Sequence, residues 1–242
     1  MPIFRNSKQR EILNSRFRNY LFYAIGEVGL VVLGILIALW FNERGEDERI
    51  EKETKEVASL VMEQLKMDVE EIEAILDSWK EMNKTIDTIL VQTDRGKPID
   101  KTCSGCATVL LGVDLPALSE RIPKRISETN LKKGHLKEVL LEIEITYEQV
   151  LKAVVYFNDM IISNLTKNYD YWSSNFDWFS DYTFKYECEV ECETYFYLDQ
   201  DYRNKVAYFG LILYESYLPA MESLLEFNQD KIIELKSHLD SK

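Results

Sequence analysis

The chain has 242 residues, with 29 Lys and Arg against 42 Asp and Glu, for a formal net charge of −13. With 46% hydrophobic and 29% charged residues it can bury a core, which excludes a disordered chain. The acidity excludes non-specific nucleic-acid binding, and nine Gly and five Pro are too few for Gly-rich phosphate loops or a turn-rich β-sandwich.

The charge is divided. Residues 1–20 hold Arg5, Lys8, Arg10, Arg16 and Arg18 against Glu11, a balance of +4, which leaves −17 for the rest. Next comes Leu21–Phe41, LFYAIGEVGLVVLGILIALWF, whose one charge is Glu27. As a helix this segment is about 31 Å long, the thickness of a bilayer's hydrocarbon core. Tyr20, Phe22 and Tyr23 flank one end and Trp40 and Phe41 the other, as interfacial aromatics do. The run is too long for a signal peptide's apolar core, and Ala38-Leu39-Trp40-Phe41 offers no small-x-small cleavage site. The expectation is an uncleaved anchor in the inner (cytoplasmic) membrane. Its basic leader stays in the cytoplasm by the positive-inside rule, and everything after Asn42 lies in the periplasm.

The segment YLFYAIGEVGLVVLGILIALWFNE resembles the N-terminus of a family of single-span membrane proteins of Bacteroidota-type bacteria. There a Y-x-x-Y-A-I-G-E motif opens an apolar helix that ends near G-I-L-I-A-L and an Asn. The matching positions are Tyr20, Tyr23, Ala24, Ile25, Gly26 and Glu27, then Gly34 to Leu39 and Asn42. Trp40 and Phe41 stand where the family commonly has polar residues. The resemblance covers about 25 residues. It implies an inner-membrane location and a helical outer domain, and supplies no catalytic residues.

An intramembrane carboxylate is costly unless paired, protonated or wetted. Helical spacing puts Ala24, Glu27, Val31, Gly34 and Ala38 on one face, where Gly34 and Ala38 form a small-xxx-small pair. Three readings follow: self-association with Glu27 hydrogen-bonded across helices, a ring of Glu27 side chains lining an ion path, or a snorkelling carboxylate. A partner membrane protein can also supply the facing helix.

Residues 42–56 are charged all round and read as a solvated helical stalk, weakened at Gly45. Val57, Val61, Leu65, Val69, Ile72, Leu76, Trp79, Met82, Ile86 and Ile89 then predict a long amphipathic helix. Spacings of four look too frequent for a strict coiled-coil seam. Residues 94–134 hold four Gly and three Pro and read as a connection, with one or two short helices in 115–130 capped by Asp114 or Ser119. A second helix is predicted from about His135 to Tyr169. Residues 169–199 are irregular, with alternation in 182–188 and 193–198 that allows a small hairpin. A third helix spans about Gln200–Leu239, kinked or divided by Pro219. The fold class is all-α. A single transmembrane helix (21–41) continues into a stalk (42–56) and an antiparallel extracytoplasmic bundle of about three long helices (57–242).

Cys103, Cys106, Cys188 and Cys192 form C-x2-C and C-x3-C pairs. Four thiolates suit tetrahedral zinc, but an oxidising compartment favours disulfides, in any of three connectivities. Cross-pairing would close a loop of about 80 residues and contribute several kcal/mol in the chain-entropy model. Tyr171, Trp172, Phe176, Trp178 and Phe179 belong to an aromatic run that either forms an interface or stacking surface or caps the bundle as an irregular core.

The two His lack H-x-x-x-H partners, and nucleophile-elbow and P-loop motifs are missing. The expectation is a non-enzyme without cofactor or metal. It would be an anchored interaction or scaffold protein that oligomerises or binds an envelope partner. The alternatives are an extracytoplasmic ligand sensor relaying through a partner, since about 20 cytoplasmic residues hold no output domain, and an ion-conducting oligomer built on Glu27.

Overall fold

The structure is a computed structural model. It describes the backbone of residues 5–240 except 95, 104 and 186, and the side chains of residue 23 and of residues 26 onward within the same set. These residues form seven α-helices, one π turn and no strand. The helices are α1 (Arg5–Leu90), α2 (Arg121–Ser127), α3 (His135–Asn175), α4 (Phe179–Lys185), α5 (Val190–Leu198), α6 (Gln200–Ile212) and α7 (Leu218–Asp240). Two compact units divide the chain, 1–53 and 54–242.

In the first unit α1 runs through Gly45 without a break. Its charged stretch is laced by ion pairs one turn apart, Arg44 with Glu48 and Arg49 with both Glu46 and Glu53. Such pairs support a helix that has no apolar face to bury.

In the second unit the rest of α1 buries one seam. Thr54, Ala58, Val61, Leu65, Asp68, Ile72, Ile75, Trp79, Ile86 and Ile89 are buried, and Met82 is half-buried between the last two turns. These positions alternate four and three, but Val57 and Leu76 beside them are buried as well, so the stripe is wider than a strict coiled-coil seam, as the apolar pattern had indicated. Polar Thr54 and Asp68 occupy two seam positions. Counting only apolar residues put Val69 on the stripe, yet it is half-buried while Asp68 beside it is buried.

Cross-helix contacts fix the directions. Asp68 meets Tyr147 of α3 and, through it, Asn228 of α7. Farther along α1, the Trp79 ring lies 4.9 Å from that of Tyr217, and Tyr217 stacks on Phe157 at 4.9 Å. Hence α1 and α3 run parallel, and α6–α7 runs antiparallel to both. Parallel neighbours need a long return, which residues 91–134 supply. The Trp79 indole donates to the Asp114 carbonyl, the Ala117 amide to Glu71 and the Lys132 amide to Thr54 Oγ1, so the connection descends along α1. One short helix, α2, forms on the way. Its cap position is Glu120 and neither Asp114 nor Ser119; the Asp114 carboxylate accepts from Ser78, while Ser119 Oγ accepts from the Arg121 amide that opens the helix.

The hairpin does not form; α4 and α5 occupy that stretch. Acidic residues in the first turns, Asp181 of α4 and Glu191 and Glu193 of α5, complement the helix dipoles. Pro219 divides the last helix as expected. The break is a π turn, Leu213–Tyr217, just before the proline, and the Leu218 amide bonds to the Leu213 carbonyl five residues back. Proline's ring crowds the preceding turn and removes one donor, and the wider π turn absorbs both effects.

Candidate functional site

Among the described residues, one helix is long and apolar enough to cross a membrane, and none of its apolar window is buried. Residues 26–41 are all exposed. Glu27, Val31, Gly34 and Ala38 lie one to two turns apart along this bare surface; the side chain of Ala24 falls outside the described residues. Among the described residues no side chain hydrogen-bonds or ion-pairs with Glu27. A Cβ built at Gly26, Gly29 or Gly34 would meet nothing within 4 Å among the described residues. At the far end of the apolar run the Trp40 ring packs edge-on against Phe41 at 5.0 Å, and the Arg44 guanidinium lies 5.6 Å from the Trp40 centroid. An aromatic ring with a cation one turn on suits a boundary between hydrocarbon and water.

The cysteines pair locally, Cys103 with Cys106 and Cys188 with Cys192. Cross-pairing is absent, and no thiolate remains among these four for zinc. Gly105 makes the first turn possible, with φ of +92°, a conformation that a Cβ disfavours. The second pair ties Cys188, just before α5, to Cys192 in the first turn of that helix, at a Cα separation of 5.3 Å. The two cysteine segments are joined by other bonds. Lys101 pairs with Glu193, and the Ile99 amide donates to the Tyr197 carbonyl at 2.7 Å.

Tyrosines and one arginine hold the loop between them. Tyr169, Tyr182 and Tyr202 donate to the carbonyls of Leu111, Ala107 and Cys106. Arg203, buried, donates to the carbonyls of Thr93, Asp94 and Lys97. Burial pushes the Tyr182 phenol up to about 12, so it remains a donor.

Of the five aromatics proposed for an interface, Trp172 and Trp178 are buried, and Phe176 and Phe179 are half-buried against the core. Phe176 stacks on Trp178 at 5.0 Å, and Trp172 donates to Tyr195. These four cap the bundle from within. Tyr171 alone is exposed, with the Lys205 ammonium 4.1 Å from its ring.

A buried polar group crosses three helices. Tyr147 donates to Asp68 Oδ2 at 2.8 Å, Gln64 donates to Oδ1 at 3.0 Å, and Asn228 donates to the Tyr147 hydroxyl at 2.9 Å. Burial raises the Asp68 carboxyl above the usual carboxylate range, against the lowering effect of its two donors. Among the described residues the Asn228 carbonyl oxygen has no hydrogen-bond partner.

A third cluster lies where α3 begins and α7 ends. His135, Glu234 and His238 place ligand-type atoms within 4.8 Å of one another. The local sequence shows none of this. Only the antiparallel register of α3 and α7 brings both histidines of the chain together.

Comparison with protein-family models, with curated proteins and with solved structures found no match.

Proposed function

We propose that the protein is a membrane-anchored interaction protein, without catalytic activity, that assembles through its apolar helix. The observation that carries this reading is the bare face of Glu27, Val31, Gly34 and Ala38. A carboxylate and a small-xxx-small pair share it, and all four residues are exposed. In lipid, small residues let helix backbones approach, and a polar side chain bonds across the contact. A second copy supplies the matching Glu27; an envelope protein with a polar membrane residue is the other occupant. The basic leader orients the span with its N-terminus in the cytoplasm of a Gram-negative cell and the bundle in the periplasm, where disulfides persist.

Solubilisation of native membranes in mild detergent, followed by sizing and identification of co-purifying proteins, tests this. Oligomers or a stoichiometric membrane partner are expected; a solitary monomer contradicts it. A reporter active only outside the cytoplasm, fused after residue 242, is expected to be active. The second reading, an extracytoplasmic ligand sensor relaying through a partner, is favoured by an open groove of about 640 Å³ between α2 and α3, lined in part by Pro123, Lys124, Leu151 and Lys152. Ligand-dependent thermal stabilisation of the full chain tests it.

A further inference from the structure

We propose that His135, His238 and Glu234 bind one divalent transition-metal ion of the zinc type. The two histidines are the only ones in the chain; one opens α3 and the other lies in the last turn of α7. Their rings meet edge-on with centroids 5.0 Å apart, and His135 Nε2 lies 3.5 Å from Glu234 Oε1. Glu234 and His238 are one turn apart on α7, so both project from the same face.

The surroundings aim these groups. His135 Nδ1 is 3.2 Å from Glu138 Oε2, and donating its proton there leaves the Nε2 lone pair directed toward Glu234 and His238. A carboxylate behind a metal-binding imidazole is the usual outer support of such sites. Glu234 divides its oxygens. Oε2 accepts from Lys231 at 2.9 Å, while Oε1 faces His135. Lys231 also pairs with Glu142 at 2.7 Å, which offsets part of its charge beside the cation. Zinc bonds of about 2.0–2.1 Å place tetrahedral ligand atoms roughly 3.4 Å apart. The His135–Glu234 pair is already at this spacing, and the ligand-type atom of His238 lies within 4.8 Å of both. Two imidazoles and one carboxylate suit zinc, with a water in the fourth place, and suit calcium or magnesium poorly. The ion ties the first turn of α3 to the last turn of α7. This site is independent of the membrane-helix reading.

The test is calorimetric titration of the full chain in detergent with zinc, and with magnesium as control. One zinc ion per chain is expected, with no magnesium binding and a raised unfolding temperature. Cobalt in place of zinc is expected to give the visible absorption of a tetrahedral ion. Affinity should fall at least tenfold in His135→Gln and His238→Gln, and about tenfold in Glu138→Gln, which touches only the outer support. Unchanged helical circular dichroism in these surface variants excludes misfolding as the cause. Absence of saturable zinc binding, or equal affinity in the double variant His135→Gln/His238→Gln, overturns the proposal.

Discussion

The Tyr147 hydroxyl donates to Asp68 Oδ2 at 2.8 Å, joining the seams of two parallel helices inside the core. Asn228 extends the link to the antiparallel helix. A polar residue at a seam position costs stability and fixes register, because any slip leaves it unpaired among apolar side chains. Asp68 and Tyr147 thereby define which turns of α1 and α3 face each other.

The raised Asp68 carboxyl has a stability consequence with a definite sign. In the folded state the group holds its proton to higher pH than in the unfolded chain, whose carboxyl titrates near 3.9. The cost of the buried charge is full above the folded value and is relieved as the pH falls through it. Asp68→Asn removes this dependence, while its amide oxygen still accepts from Tyr147. Chemical denaturation of both proteins from about pH 7 to about pH 4 checks it. The wild type should gain stability relative to the variant as the pH falls; a constant difference contradicts the assignment.

Arg203 reaches three backbone carbonyls of the 93–97 turn from a buried position. Arg203→Ala strands them, at about 1–3 kcal/mol. Arg203→Lys should rescue little, since an ammonium lacks the planar fork. Hydrogen exchange at Ile99, whose amide donates to Tyr197, should accelerate in both variants, with exchange in the middle of α3 unchanged.

Local disulfide pairing is directly readable. Trypsin cuts after Lys101, Arg121, Lys185 and Arg203, which places each cysteine pair in its own peptide. Without reduction, both peptides should appear separately, each lighter by two hydrogens. A peptide joining the two segments would indicate cross-pairing. Loops this short give about 2 kcal/mol per bridge in the chain-entropy model, against more than 4 for a cross-pair, so reduction should lower stability modestly.

The long helices were legible because their apolar residues recur at three and four, and Pro219 marked its own break. Two buried positions of α1 were not, since Thr54 and Asp68 are polar. The aromatic run reads equally well as surface or core from composition; in the structure Trp172 and Trp178 are buried against Tyr195 and Phe196 of α5. Local cysteine pairing follows from turn geometry, which the spacing alone leaves open. The meeting of His135 with His238 depends on tertiary register, which no local pattern encodes. The apolar helix was the most legible element: 21 residues with one charge predict a helix long enough to cross a membrane, and the structure has one there.

Site-specific photocrosslinking of that helix in native membranes tests the account most directly. A photoreactive residue at Val31 or Ala38, on the Glu27 face, should give discrete higher-mass products, weakened in Glu27→Leu and largely retained in Glu27→Gln, which still hydrogen-bonds. The same residue at Leu36, on the opposite face, should crosslink to lipid alone. Only monomer from Val31 and Ala38, or equal products from both faces, would contradict assembly through this helix.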